Sequence, residues 1–361
     1  MGTAITNTED CREQALPVPL PKLTVLMTMY NAGPFLRETV ESVLNQTYSD
    51  FKYLIIDNAS TDDSRDIIRS YNDPRIELAP LAENIGQVAA LNKGLAMIDT
   101  PLIARMDADD ICLPQRFERQ VEFMDANPGI GICGTFAIAF HGKREISWQW
   151  PCKPEDIKVK LLFECCLAHP SVMMRKDLLD RFNLRYSETI GHSFDWELWQ
   201  RAAECFPLAN IPAFLLRYRL HEANESKKTL HLQEKAAKRI DDQTLARLGL
   251  ENHPLRQIHR DVALETMNAK NRGPEFPDHV LQWFNHLETA NNLKKIYDAD
   301  ALRRFLNERL FFILKANLKY RGPILKIFFN RRAGLYRHAG LYRSFKFMIK
   351  ILLSLFGFGI K

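Results

Sequence analysis

The run Ile103-Ala104-Arg105-Met106-Asp107-Ala108-Asp109-Asp110 decides how the rest of the chain is read. Pro101 to Met106 has the character of a short buried strand, and three carboxylates follow it within four positions. Side chains alternate along a strand, so Asp107 and Asp109 share a side if the extended backbone continues. Two carboxylates at the C-terminal end of a strand can hold a hard divalent cation, which in turn can hold a diphosphate. Open α/β sheets bind ligands along that edge. A solvated acidic turn, or Asp110 capping a helix near Pro114, would use the same residues. Asp-X-Asp is a common triplet, so the surroundings have to separate these readings.

Working outward, Leu23 to Met29 is an apolar, β-prone run ending in Tyr30-Asn31, as expected of a central parallel strand that opens into a loop. Pro34 suits the first turn of a helix that carries Phe35, Val40, Val43 and Leu44. Tyr53 to Asp57 is a second strand, followed by Asn58-Ala59-Ser60-Thr61-Asp62-Asp63, where Ser60 or Thr61 can cap the next helix. Arg75 to Leu78 is a short third strand, Asn84-Ile85-Gly86 opens another helix, and a helix from about Pro114 to Asp125 follows the acidic run. Strands alternating with helices at this spacing predict βαβ units and a mostly parallel, Rossmann-like sheet flanked by helices. Right-handed crossovers then bring Tyr30-Asn31, Asp57-Asn58 and Asp107-Asp109 to one edge. An aromatic, polar groups and a metal-binding pair are what a nucleoside diphosphate requires. Neither Gly-x-Gly-x-x-Gly nor a P-loop occurs, so phosphate charge has to be met by metal and basic side chains.

At this point the residues resemble a known family. Met27-Thr28-Met29-Tyr30-Asn31, Ser42 to Tyr48, Ile56 to Asp62, Asn84-Ile85-Gly86, and Ala104 to Asp110 with Leu113-Pro114 and Arg116 occur in the order found in the GT-A fold of the family 2 glycosyltransferases. The resemblance implies an inverting, metal-dependent transfer from a nucleotide sugar, with Mn²⁺ or Mg²⁺ as cofactor. By position, Tyr30 would lie against the base, Asp57 and Asn58 at base and ribose, and Asp107 at the ribose or donor sugar. Thr28, Asn31 and Arg105 would complete the donor-binding set, and Asp109 would bind the metal. The family usually has two aspartates where this chain has Asp57-Asn58, which leaves the donor base open.

The second half should supply acceptor site and base. The family's base lies near a short helix ending in an aromatic-rich stretch, here His192-Ser193-Phe194-Asp195-Trp196-Glu197-Leu198-Trp199. Asp195 occupies the expected place, although the common Glu-Asp pair is Phe194-Asp195; Glu197 and Glu188 compete with it, and Asp195 can also cap its helix. Ala168 to Arg175 resembles another family element, in which His169 supports a loop. Leu216 to His221 resembles the last strand and its following His, making His221 a candidate metal ligand beside Asp109. Arg217 and Arg219 alternate with Tyr218, so at most one of them can face a diphosphate.

The rest of the chain frames this site. Residues 1–20 are polar and proline-rich and read as a disordered leader, 21–226 as the GT-A domain, and 227–308 as a helical region. Helices are expected over 228–247, 254–269, 276–287 and 300–320. Residues 309–361 carry 12 Lys/Arg and no Asp/Glu, against 37 basic and 44 acidic residues before them. An acidic body argues against nucleic acid as a partner, while a basic tail rich in Phe, Ile and Leu suits an anionic membrane surface. Phe345–Ile360 is shorter than a membrane span and contains Lys346 and Lys350, so an interfacial position is expected. A helix packed on the body is the alternative. Seven cysteines without metal-ligand spacing, and no apolar signal segment, suggest a reducing cytoplasm and a peripheral place on the inner face of the cell membrane. A lipid-linked or other glycan acceptor in surface polysaccharide synthesis follows from that location. A pyrophosphorylase would need a glycine-rich basic loop that Asn31-Ala32-Gly33-Pro34 does not provide. A binding protein that has lost catalysis is the non-enzymatic rival.

Overall fold

A computed structural model describes residues 21–222, 230–263 and 273–317, with the side chains of Leu230 and Lys315 excepted. The first half alternates as expected: β1 (Leu23–Met29), α1 (Gly33–Leu44), β2 (Phe51–Asp57), α2 (Ser64–Arg69), β3 (Ile76–Pro80), α3 (Gln87–Met97) and β4 (Leu102–Asp107). Then come β5 (Ile111–Cys112), α4 (Arg116–Ala126), β6 (Ile132–His141), β7 (Arg144–Trp148) and α5 (Pro154–Leu161). A 3-10 turn (His169–Ser171) leads to β8 (Met173–Arg175), α6 (Lys176–Arg181), α7 (Phe194–Cys205) and β9 (Leu208–Arg219). Four longer helices finish the described chain: α8 (Leu230–Leu248), α9 (Arg256–Ala263), α10 (Phe276–Lys294) and α11 (Ala299–Ala316).

Nine strands form one sheet in the order β3-β2-β1-β4-β8-β6-β9-β5, with β7 on β6. β3, β2, β1 and β4 are all parallel, which accounts for the unbroken apolar character of β1: all seven of its residues are buried, because helices cover both faces. Beyond β4 the sheet becomes mixed. β8 runs antiparallel to both β4 and β6, β5 is antiparallel to β9, and only the β6–β9 pair is parallel. The expectation of a mostly parallel sheet therefore holds for the first half, and in the mixed remainder only β6 and β7 are joined by a short hairpin.

Register places the functional edge. Thr28 pairs with Asp107 and Met29 with Asp57, so the C-terminal ends of β1, β2 and β4 lie side by side. One apolar core packs α1 and α4 against one face of the sheet, and a second packs α3, α5 and α7 against the other. In α3, a Cβ at Gly94 would come within 2.4 Å of Leu26 Cδ1, so glycine is what lets this helix lie close on β1. A third core gathers Val159, Leu162 and Phe163 at the end of α5 with residues from α8 to α11, so the helical region grows directly out of α5.

The four C-terminal helices begin near the expected segments; α10 runs seven residues beyond the expected 287, and 264–269 of the expected second helix lie outside the described residues. The first part of the expected tail, 309–317, forms the end of α11, where Leu310, Phe311, Ile313 and Leu314 are buried in that third core. The remainder of the expected tail, from 318, and the leader over 1–20 lie outside the described residues. Among the described residues, no helix is long and apolar enough to cross a membrane.

Candidate functional site

β4 stops at Asp107 and the chain turns, so strand alternation no longer governs Asp109 and Asp110. The turn gathers all three carboxylates: oxygens of Asp107, Asp109 and Asp110 lie within 4.8 Å of one another. Asp110 does not cap a helix. The N-cap of α4 is Gln115, and Asp110 Oδ1 accepts the backbone N–H of Arg219 at 2.8 Å.

Polar residues of α1 hold the turn from one side. Thr39 Oγ1 donates toward the carbonyls of Ala108 (3.1 Å) and Asp110 (2.8 Å), and Ser42 Oγ accepts the Cys112 N–H at 3.0 Å. Gln46 Nε2 reaches the Leu113 carbonyl at 2.9 Å. β9 holds it from the other side. Arg219 Nε donates to the Asp109 carbonyl at 2.7 Å, and its guanidinium also reaches Glu38 and lies 4.8 Å over the Phe35 ring. His221 Nε2 sits 2.9 Å from Asp109 Oδ2, with its ring 4.6 Å from Phe35. Arg217 pairs instead with Glu145 at 2.7 Å. One arginine of the two joins the loop, and it is Arg219.

The loop has the electrostatics of a cation site. Burial, then Asp107, push the Asp109 carboxyl above its ordinary range, with His221 opposing. Burial, then Asp109 and Asp107, push Asp110 well above it. Asp110 Oδ2 is buried with no hydrogen-bond partner among the described residues. Crowded carboxylates with an orphan oxygen and one imidazole suit a hard divalent ion such as Mg²⁺ or Mn²⁺. Arg105 lies under the loop rather than on it. Its side chain is wholly buried, forms an ion pair with Asp107, and has no well-formed hydrogen bond among the described residues. Burial opposes its charge, but Asp107 more than offsets this, so its guanidinium is held charged.

The loops after β1 and β2 are laced together. Tyr30 is half exposed, the largest aromatic surface on this edge. Asn31, at φ 51°, donates its N–H to Ser60 Oγ (3.0 Å) and accepts the Thr61 N–H (2.8 Å). Ser60 and Thr61 therefore tie the loops and do not cap α2, whose N-cap is Asp63 with no side-chain bond. Asp57 is fully buried, accepting from Ser60 N at 2.9 Å and from Arg65 Nε at 2.8 Å. Asn58 Oδ1 accepts the Ile85 N–H, and its Nδ2 donates to Asn84 Oδ1, both at 3.0 Å. Gly86 N–H donates to that same Asn84 oxygen, which fixes the amide's orientation. An aspartate at 58 would put oxygen against oxygen, so Asn58 is matched to Asn84.

Asp195 is the second residue of α7, reached through Gly191 (φ 75°) and Ser193 (φ 55°). Burial raises its carboxyl, while backbone N–H groups of the first helical turn and the Cys165 thiol, 3.7 Å from Oδ2, pull it back. Glu197 is committed to Arg201 at 2.6 and 2.8 Å, and Glu188 is exposed. His169 is buried with Nε2 2.8 Å from the Tyr186 hydroxyl and its ring against Phe194; burial, then Arg105, hold its imidazole well below the usual range. Burial raises both Asp109 and Asp195, and Arg105 is the last and smallest of the influences on each, opposing that rise. Cys165 and Thr39 had no role in the sequence reading, Asp110 was read only as one of the acidic run or a helix cap, and Arg219 only as one of two arginines that could face a diphosphate. The consecutive acids of Asp109-Asp110 were a signal for Asp110, and nothing local marks Cys165.

With this geometry in hand, the chain can be compared with known proteins. The family model described as glycosyl transferase family 2 matches residues 24–182. The O-antigen biosynthesis glycosyltransferase WbnJ of Escherichia coli is 32% identical over 231 residues, covering 60% of this chain and 87% of that protein. The crystal structure of Staphylococcus aureus TarS 1-349 in complex with UDP-GlcNAc aligns with a TM-score of 0.55 at 15% identity, over 84% of this chain and 90% of that one. The mannosyltransferase PcManGT of Pyrobaculum calidifontis, in complex with GDP-Man and Mn²⁺, aligns at 0.50 with 18% identity, over 84% and 88%. The parallel half-sheet, the acidic turn at its edge and these likenesses converge: the chain belongs to glycosyl transferase family 2 and has the GT-A fold.

Proposed function

We propose that this glycosyltransferase moves a sugar from a nucleoside-diphosphate sugar, a UDP-sugar in the first instance, to a hydroxyl of a glycan or lipid-linked glycan, with inversion at the anomeric carbon. The observation that carries the reading is the gathering of Asp107, Asp109 and Asp110 on one turn at the edge of the parallel half-sheet, with His221 against Asp109. The UDP-GlcNAc and GDP-Man complexes of the structural neighbours support a nucleotide-sugar donor. WbnJ, named for O-antigen biosynthesis, supports a polysaccharide setting.

In this mechanism Asp107, Asp109, Asp110 and His221 hold a divalent cation, Mn²⁺ or Mg²⁺. Bound there, the ion supplies the Lewis acidity that stabilises a leaving diphosphate. Tyr30 offers its exposed ring to the base. Asp57, Asn58 and Asn31 spend their polar atoms on the loops around it, so they act by shaping the donor pocket, with Thr28 beside Asp107 in the strand register. Asp195 takes the proton of the acceptor hydroxyl as its oxygen attacks the anomeric carbon from the side opposite the diphosphate. Arg105 pairs with Asp107 beneath the loop. The matched Asn58–Asn84 pair gives this chain's asparagine, where the family usually has a second aspartate, a place in the loop framework. The basic, Phe-rich sequence beyond 317 supports work at the cytoplasmic face of a membrane, where a lipid-linked acceptor would lie.

The test is release of nucleoside diphosphate from a panel of UDP-, dTDP- and GDP-sugars, with Mn²⁺, Mg²⁺ or chelator. Metal-dependent release from one donor, abolished in both Asp109→Ala and Asp195→Asn, is the expected result. Absence of metal-dependent binding to any donor would sink the reading.

A further inference from the structure

The turn after α5 ends beside Asp195, and it is held almost wholly by other helices. A helix leaves its last carbonyls without intrahelical donors, and here three successive ones are met by side chains from far along the chain. The Leu161 carbonyl accepts Trp196 Nε1 at 2.8 Å and Gln200 Nε2 at 2.7 Å, both from α7. The Leu162 carbonyl accepts His259 Nε2 at 2.9 Å, and the Phe163 carbonyl accepts the Arg260 guanidinium, both from α9. Glu164 follows, paired with Lys160 and with Arg309 of α11. The next residue is Cys165, whose thiol lies 3.7 Å from Asp195 Oδ2.

His259 and Arg260 are themselves locked in place. The His259 ring stacks on Phe163 at 4.5 Å, and Trp283 Nε1 approaches its Nδ1 at 3.4 Å, which leaves the ring proton on Nε2 for the Leu162 carbonyl. Arg260 lies 5.3 Å over the Trp196 ring, one residue from Asp195, and 3.4 Å from Asp241 of α8. One side chain thus touches the turn that delivers Cys165 and the helix that delivers Asp195.

We propose that His259 and Arg260 are positioning residues for the transfer reaction, setting the Asp195 carboxyl through the capped turn 161–165 and the Trp196 ring. The proposal rests on the reading of Asp195 as the base, and it makes the helical region part of the catalytic apparatus. Misplacement of a reacting group by about 1 Å can cost roughly 100-fold in rate, so a loosened turn should be visible in kcat.

The full-length protein is compared with Arg260→Leu and His259→Leu and with the conservative Arg260→Lys and His259→Gln, which keep an N–H donor at each carbonyl. The first readout needs no substrate: amide hydrogen exchange over residues 162–168 and 195–198. In Arg260→Leu it should rise about tenfold or more there, and stay at the wild-type rate over 107–113. With the donor that turns over in the panel, kcat should fall roughly tenfold or more while donor KM stays within about twofold, and Arg260→Lys should recover part of the loss. In a Cys165→Ala background, Arg260→Leu should cost little more, because both changes act on one carboxyl. Wild-type exchange and wild-type kcat in a folded Arg260→Leu protein overturn the proposal, as does a loss carried by donor KM. Asp195→Asn separates the two possible failures. Full activity in Asp195→Asn removes the base reading and the positioning role with it. An inactive Asp195→Asn beside a fully active Arg260→Leu overturns the positioning role alone. Where the leucine variants do not fold, Arg260→Gln and His259→Ala take their place, and wild-type exchange with wild-type kcat in both overturns the proposal.

Discussion

The two acidic centres of this enzyme are built in opposite ways. The loop Asp107–Asp110 is contiguous, its three carboxylates sit on one turn, and its braces are short polar side chains of α1 and the end of β9. Asp195 is a single carboxyl whose surroundings come from residues 161 to 165 and, behind them, from α8, α9 and α11. The loop is a charge problem: like charges crowd together on one turn. The Asp195 pocket is a packing problem: one acid is held in a half-dry environment by apolar and aromatic neighbours. The first should respond to metal and the second to core substitutions far from it.

Metal rescue is the largest test of that contrast. Asp109→Ala and Asp195→Asn should each lower kcat by about 10²- to 10⁴-fold. Excess Mn²⁺ should recover part of the Asp109→Ala loss and none of the Asp195→Asn loss, measured as nucleoside diphosphate release against Mn²⁺ concentration. Equal rescue of both would erase the distinction.

Next in size is a pH effect confined to the packing side. Burial pushes the Asp241 carboxyl up to about 7, with Arg260 opposing. A carboxyl whose folded pKa exceeds its unfolded value binds its proton more tightly when folded. Its contribution is fully present below about pH 4 and is lost as pH rises through about 7, at a cost of a few kcal/mol. Asp241→Asn should therefore flatten the stability profile between about pH 4 and 7, measured by urea denaturation across that range.

Asp195 should leave its own mark on the rate. Because burial raises its carboxyl, the acid limb of kcat should lie above the ordinary aspartate range, about 3.9. A limb at or below that value would mean that the pocket is wetter than its packing indicates. On the charge side, Thr39→Val removes the hydroxyl that serves two loop carbonyls. It should cost about 1–2 kcal/mol of stability and raise the Mn²⁺ half-saturation several-fold, with kcat at saturating metal nearly unchanged. Smallest is Asn58→Asp, expected to cost about 1 kcal/mol through the Asn84 contact, and to be partly restored by replacing Asn84 with a donor such as lysine.

The contrast also explains what could be read from the sequence. β1 announced itself as an apolar run and β4 as one broken only by the buried Arg105, because both their faces are covered, and the acidic loop followed at the end of β4. The four C-terminal helices were legible from their periodicity. The mixed half of the sheet was not, because β5 and β8 are two and three residues long and carry no pattern of their own. Asp57, Asn58 and Asn31 were visible as polar strand ends, but which atoms Asn58 and Asn31 spend on the loops is decided by neighbours 26 to 30 residues away. Cys165 was invisible because its significance is entirely spatial. The loop hydroxyls and amides of α1, by contrast, were quoted within the family motif before any role could be given to Ser42 and Gln46.

The pairing of β5 has a consequence for biosynthesis. Ile111 and Cys112 have no strand partner other than Arg217 and Leu216 of β9 among the described residues, and Asp110 and Asp109 likewise wait for Arg219 and His221. During translation the acidic turn is therefore made long before the strand that closes it. Long-range pairings of this kind form late, after the loop-closure entropy of the intervening chain has been overcome. A ribosome stalled between β4 and β9 would carry a nascent chain with all four parallel strands made and an acidic turn still lacking its β9 braces.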